Sequence, residues 1–345
     1  MPMFSMSRRT ILLGGLGLGI SACSGRPDAV AQPNVQSTNW RLGTPLPYRV
    51  QEVYPTLHSG RIHLAGGFIS DGDSISGVTD QHVAFDPTTK TWMDLSPLPT
   101  PRHHPNLVSF QNQLLAIGGF QAESEEAVWV MQPGVWAFDG EAWMDVSSLP
   151  QPNGESVTGV IDGVLHVCGG RKPSGTENAA WTHHTDIGDH FVLTDLSSEW
   201  SPAAPLPTAR NSAAAATIET NWHVVGGRTV ADGNTAAHEV YDAREDRWRS
   251  AAPMPQGQGG LAAAAVGGQI YAFGGEYFNN GGGVYPEAWV YDPQTDAWTA
   301  LPDMPHPRHG LGAVVLDGEI YVIGGALRVG GSQTSDLVEI FVPSR

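Results

Sequence analysis

Apolar runs about as long as a β-strand recur along this chain, each bounded by turn-forming residues. Near the C-terminus, Leu311 to Leu316 reads as a strand and Asp317-Gly318 suits a tight type I′ hairpin. Glu319 to Ile323 is the return strand, ending on Gly324-Gly325. Asp162-Gly163 and Gly267-Gly268 repeat the hairpin chemistry. After each Gly-Gly pair comes a loop, then an aromatic-Asp pair such as Phe85-Asp86, Phe138-Asp139, Tyr241-Asp242 or Tyr291-Asp292, then a strand carrying a tryptophan. In the third unit Phe191-Val192-Leu193 replaces the aromatic-Asp pair, with Asp195 nearby. The pattern predicts four short strands per unit in an up-and-down meander.

The tryptophans set the period. Trp40, Trp92, Trp143, Trp200, Trp248 and Trp298 are each followed 26 residues later by Gly-Gly. The interval from Gly-Gly to the next tryptophan varies, at 26, 25, 31, 22 and 24 residues. Length variation is thus confined to one loop of a rigid repeat. Glycine at the end of the second strand permits a close approach, and the aromatics of the third and fourth strands are the expected occupants. Trp40 opens the series with no Gly-Gly before it, and the last strand, near Leu337 to Val342, carries no tryptophan. The N-terminal strand should therefore complete the last unit, closing a ring of six with no long free edge.

Composition narrows the function. With 42 Gly, 26 Pro and 15% charged residues, the chain suits many strands joined by turns and gives no hint of coiled coil. Residues 1–31 are set apart as an export segment. Arg8-Arg9 ahead of a Gly-rich apolar run resembles a twin-arginine signal. Ile20-Ser21-Ala22-Cys23 resembles a lipobox that would lipidate Cys23, and Ala29-Val30-Ala31 offers ordinary cleavage instead. Either places residues 32–345 in the periplasm, and the lipobox reading alone adds a lipid anchor at Cys23 as the only membrane contact. Of 18 basic residues, losing Arg8 and Arg9 leaves 16 against 35 acidic ones, a balance of −19. That charge disfavours nucleic acid and anionic lipid as partners. Cys168, beside Gly169-Gly170 in an apolar run, reads as buried and inert.

Gly-Gly after an apolar strand, then Tyr-Asp, then Trp, at a period near 50, resembles the kelch repeat. The resemblance covers about residues 37–345 and implies an all-β, six-bladed propeller, expected as a monomer.

With strands lettered A to D outward from the axis, the D–A connections and the variable B–C loops share one face. The D–A segments deliver Arg102, His103, His104, Glu155, Arg210, Asn211, Gln258, Arg308 and His309 to the mouth of the central channel. Two roles are open to these arginines: a basic pocket for a small anionic or polyhydroxylated ligand, or pins between adjacent blades. The longest B–C loop adds Asn178, Trp181 and His184 as a wall, and Arg228 follows Gly226-Gly227. Its His and Asp residues lack a metal-ligand framework, and Asp71-Gly72-Asp73-Ser74 lacks the later calcium ligands. No metal and no cofactor are expected.

Two kelch enzyme families offer analogies. Galactose oxidase-like proteins need a Tyr-Cys cross-link that a buried Cys168 would not supply. Bacterial periplasmic N-acetylneuraminate epimerases are closer, and Gly275-Glu276 matches their Gly-Glu. That resemblance implies Glu276 as general acid/base, although no arginine lies between Arg249 and Arg308. Arg210, Arg228 or Arg308 would have to serve from neighbouring blades. The reading is a propeller binding a carbohydrate-like ligand such as a sugar acid, with mutarotase or epimerase activity. The alternative is a non-catalytic module presenting the same face to a periplasmic protein or glycan.

Overall fold

The structure, a computed structural model, describes residues 39–124 and 126–344. The expected export signal and the expected lipid anchor at Cys23 fall on residues outside those described. Six four-stranded antiparallel sheets follow one another along the chain. Blade 1 begins at Thr56–His58, blade 2 at Asn106–Phe110, blade 3 at Val157–Ile161, blade 4 at Ala214–Ile218, blade 5 at Ala262–Val266 and blade 6 at Gly312–Leu316. These six innermost strands neighbour one another in a closed cycle, blade 6 returning to blade 1. Small residues such as Ala213 to Ala216 and Ala262 to Ala265 stand where the strands crowd the axis.

The ring closes as the sequence predicts. Trp40–Leu42 pairs with Val338–Phe341 as the outermost strand of blade 6, in the register Trp40 with Phe341 and Leu42 with Glu339. A sheet edge that would otherwise be open is thereby covered. The hairpin dipeptides have positive φ at both residues, as at Asp317 (53°) and Gly318 (80°), the backbone of a type I′ turn. In the third blade Asp195 accepts the Ser197 N–H, the same turn contact that Asp86 makes with Thr88 and Asp292 with Gln294. A displaced aspartate thus still closes that turn.

The Gly-Gly pairs differ from expectation in what fills their space. A Cβ on Gly66 would stand 2.2 Å from Arg102 O, on Gly118 2.5 Å from Asn153 O, and on Gly274 2.2 Å from Arg308 O. The occupant is the backbone carbonyl of the next blade, not an aromatic ring. That carbonyl accepts a hydrogen bond from the second glycine: Gly67 to Arg102, Gly119 to Asn153, Gly170 to Arg210, Gly227 to Gln258, Gly275 to Arg308 and Gly325 to Val50. Tryptophans make the complementary stitch near the rim. Trp92 Nε1 donates to Thr44 O, Trp143 Nε1 to Ser96 O and Trp298 Nε1 to Ala252 O, each on the preceding blade. One motif therefore ties each sheet to both of its neighbours.

Candidate functional site

Each blade enters its innermost strand through the same three positions. The first is Val50, Arg102, Asn153, Arg210, Gln258 or Arg308 in blades 1 to 6. All but Val50 turn the side chain back on their own blade, donating to the first glycine of the pair: Arg102 to Gly118 O, Asn153 to Gly169 O, Arg210 to Gly226 O, Gln258 to Gly274 O and Arg308 to Gly324 O. Arg210 and Arg308 also pair with Glu239 and Glu339 at 2.5 and 2.6 Å, and Arg102 stacks on Trp136 at 3.6 Å. All three arginines are buried. This corrects both expected roles: the side chains neither form a basic pocket nor pin adjacent blades, because bracing the strands of their own sheet consumes them.

The third position is the one that reaches the axis. Glu52, His104, Glu155, Ser212, Gly260 and Gly310 occupy it, and all six have φ between 49° and 70°. Their backbones form a belt of hydrogen bonds around the channel mouth: His104 to Glu52 O, Glu52 to Gly310 O, Gly310 to Gly260 O, Gly260 to Ser212 O and Ser212 to Glu155 O. Left-handed backbone costs roughly 1–2 kcal/mol for a residue with a Cβ. Blades 5 and 6 avoid that cost with glycine, while blades 1 to 4 accept it and aim a polar side chain at the mouth. Strain carried in this way is a mark of functional positions.

Above the belt lies a cavity of about 530 Å³. Glu52, His104 and Glu155 form its floor, with Arg228 and Glu276 from the B–C side. Phe68, Trp129, Trp181 and Phe278 form apolar walls. Arg171, fully buried, stacks on the Trp181 ring at 4.0 Å and donates to Trp181 O, fixing that wall. The cavity sequence reasoning drew as basic is mixed, with three carboxylates against Arg228 and its buried neighbour Arg171.

Hydrogen bonding places the protons on this floor. His103 Nε2 is 2.7 Å from Val128 O, which can only accept, so His103 donates there. Burial holds the His103 pKa well below the usual imidazole value, so the ring is neutral and its Nδ1 is an acceptor. His104 Nδ1, 2.7 Å away, must then donate. His104 Nε2 in turn lies 2.9 Å from Glu52 Oε2. One proton is thus held in line between His104 and Glu52. Burial works to raise the Glu52 pKa, but His104 and His309 outweigh it and hold the carboxyl well below its usual range. Across the floor Glu276 Oε1 accepts from Arg228 Nη1 at 2.9 Å and Oε2 from the Gly330 N–H at 2.8 Å. Arg228 Nη2 makes no hydrogen bond to a described residue.

Of the residues expected from sequence, Glu276, His104, Glu155, Arg228 and Trp181 line this cavity. The others support it from behind. His103 is sandwiched between Phe68 and Phe120, at 4.0 and 5.0 Å. Asn178 bonds His184 and the Met131 backbone, joining two loops, and Asn211 bonds Asp186. His309 donates through Nε2 to Arg328 O and Gly330 O. Glu52, Phe68 and Trp129 were missed. Aligned glycines at Gly260 and Gly310 signal a left-handed position and could have pointed to Glu52, but blade 1 lacks the preceding Gly-Gly that sets the alignment.

Gly310 also makes room for Glu52. A Cβ there would stand 2.7 Å from the Glu52 carboxyl carbon, on a backbone at φ +59°. Gly310→Ala should cost about 1–2 kcal/mol in urea unfolding and push Glu52 off His104, visible as a shift of the His104 ring ¹⁵N resonances. Gly318→Ala, at φ +80° with open space around it, should show a similar cost without that shift. Equal ring spectra in both variants would refute the steric link.

A closed ring of six sheets whose belt carries a polar floor under aromatic walls defines a β-propeller with a ligand-sized cavity on one face. Residues 163–340 match the family model described as the KLHDC2/KLHL20/DRC7 Kelch-repeats domain. The match covers just over half the chain, which therefore belongs to the kelch-repeat family. It is 26% identical over 193 residues to Kelch repeat and BTB domain-containing protein 12 of Danio rerio, covering 51% of this chain and 30% of that protein. Against Kelch-like protein terF of Aspergillus terreus it is 27% identical over 223 residues, covering 62% and 47%. The chain thus spans less than half the length of these curated relatives. Among solved structures, that of YjhT superposes with a TM-score of 0.73 at 17% identity, covering 88% of this chain and 98% of that one. That likeness is one of fold.

Proposed function

We propose that this propeller binds a small carbohydrate, of the sugar-acid class, at the belt face and interconverts its anomers. One observation carries the reading: a proton-bearing Glu52–His104 pair and the Glu276 carboxylate line one ligand-sized cavity. Ring opening of a cyclic sugar needs an acid to protonate the ring oxygen and a base to take the anomeric hydroxyl proton. The Glu52–His104 pair supplies the proton and Glu276 accepts the other. Closure on the opposite face of the carbonyl returns both protons and yields the other anomer. The aromatic walls suit the apolar face of a sugar ring, and the free Nη2 of Arg228 suits a carboxylate. An exported protein of this kind would meet such sugars outside the cytoplasm.

Anomer exchange followed by NMR on a panel of acidic sugars, N-acetylneuraminate among them, tests the proposal. Glu276→Gln should lower the exchange rate by about 10²–10⁴, the usual worth of a positioned acid or base, with folding unchanged. No acceleration by the wild-type protein with any acidic sugar would remove the catalytic reading. The non-catalytic alternative has its own support in Phe278, which is 62% exposed at the cavity rim. A partner captured by the wild type and by Glu276→Gln alike, but lost in Phe278→Ser, would favour it.

A further inference from the structure

His309 precedes the innermost strand of blade 6 and is 1% exposed. Its Nε2 lies 2.9 Å from Arg328 O and 3.0 Å from Gly330 O. Carbonyls only accept, so Nε2 carries one proton, and Nδ1 on the other side holds either a lone pair or a second proton, which burial opposes and the facing carboxylates favour more strongly. There Nδ1 has no hydrogen-bond partner. It faces Glu52 Oε1 at 3.6 Å and Glu276 Oε2 at 3.5 Å. Those distances are long for hydrogen bonds. A buried lone pair set against two carboxylate oxygens is repelled by both unless a positive charge stands between them.

The spacing fits a metal ion. Ligand atoms bonded at about 2.1 Å to a tetrahedral centre stand about 3.4 Å apart, and all three atoms lie within 4.8 Å of one another. A histidine that donates its other N–H to a backbone carbonyl is the usual arrangement behind a metal ligand, since it fixes ring and tautomer. The carboxylates are fixed too, Glu52 through its second oxygen on His104 and Glu276 through its second oxygen on Arg228. We infer that Glu52, Glu276 and His309 form a site for one divalent cation of the zinc type, with a further position open to the cavity that both glutamates line. An imidazole beside two carboxylates favours Zn²⁺ over Mg²⁺. The inference goes beyond the acid–base reading and does not depend on any sugar binding.

Titration calorimetry on the full chain, first stripped with a chelator and then titrated with ZnCl₂, tests it. One equivalent should bind, with Mg²⁺ failing to compete at equal concentration. His309→Ala and the near-isosteric Glu52→Gln should each weaken binding about 100-fold or more, on the scale by which even supporting residues alter metal affinity. His183→Ala, at the surface His183–Glu177 pair, should leave it unchanged. Diffraction at the zinc edge should place the ion against all three ligand atoms. Circular dichroism melts show whether His309→Ala folds, and Glu52→Gln carries the test if it does not. No saturable one-to-one binding, undiminished affinity in Glu52→Gln, or an ion found only at His183–Glu177 would overturn the inference and leave a proton as the occupant. Anomer exchange measured on the stripped protein keeps this outcome separate from that of the sugar reading.

Discussion

At pH 5 this protein is expected to have lost most of the folding stability it has at pH 7. The cause is a histidine pair repeated in three blades. His63 Nδ1 lies 3.0 Å from His82 Nε2, His166 Nδ1 2.9 Å from His190 Nε2, and His223 Nδ1 2.9 Å from His238 Nε2. In each, Nδ1 of the second ring meets a carbonyl, that of Ser96, Ala204 or Ala252. The second ring therefore donates through Nδ1 and accepts through Nε2, so both rings of each pair are neutral and another proton would break the bond between them. Burial depresses the pKa of His63, His166 and His223 to about 3, and of His82 and His238 to about 4.

The sign follows from linkage. The folded pKa values lie below the unfolded value near 6.5, so below that pH the unfolded chain binds protons that the native rings refuse. Stability is full above about pH 6.5 and falls as pH drops toward 4. The loss at pH 5 is about 2 kcal/mol for each such imidazole, and five of them rival the whole stability of a typical domain. Urea unfolding at pH 7 and pH 5 measures it. The double variant His223→Leu with His238→Leu should lose about a third of the pH dependence. There the Ala252 carbonyl keeps its bond from Trp298 Nε1. Equal midpoints at the two pH values would exclude the mechanism.

Arg308→Ala should destabilise the fold by about 3–5 kcal/mol, the cost of leaving a buried ion without its partner. The guanidinium is fully buried and makes four bonds besides the Glu339 pair's Coulomb attraction: to Gly324 O, His306 O, Val322 O and Glu339 Oε2. Its removal leaves Glu339, 1% exposed, with His306 alone. Arg308→Lys should recover little, since one ammonium cannot span the carbonyls that a planar fork reaches. Denaturant unfolding of the three proteins decides the matter. A variant of unchanged stability that fails to bind ligand would instead return Arg308 to the cavity.

That arginine illustrates how far the sequence could be followed. Its position at the start of an innermost strand was legible from the repeat, and so were two possible roles. The side chain takes neither, and only the structure shows where it turns: away from the axis, because the Gly-Gly carbonyls of its own blade lie within reach. Glu276 was legible because it follows a Gly-Gly pair directly. Glu52 was not, because Val50 replaces the bracing residue in blade 1 and no glycine pair precedes it. The belt is a product of closure: its hydrogen bonds join residues as distant as Glu52 and Gly310.

By itself the sequence determined the strand meander, the six-fold period and the strand exchange that closes the ring. Hairpin dipeptides, Gly-Gly pairs and tryptophans act over a few residues or repeat at a fixed interval, so local chemistry records them. Only the tertiary structure decided which polar residues face the cavity. Six segments meet at the axis, and which of their side chains brace their own sheet and which point inward depends on left-handed backbone and on neighbours one blade away.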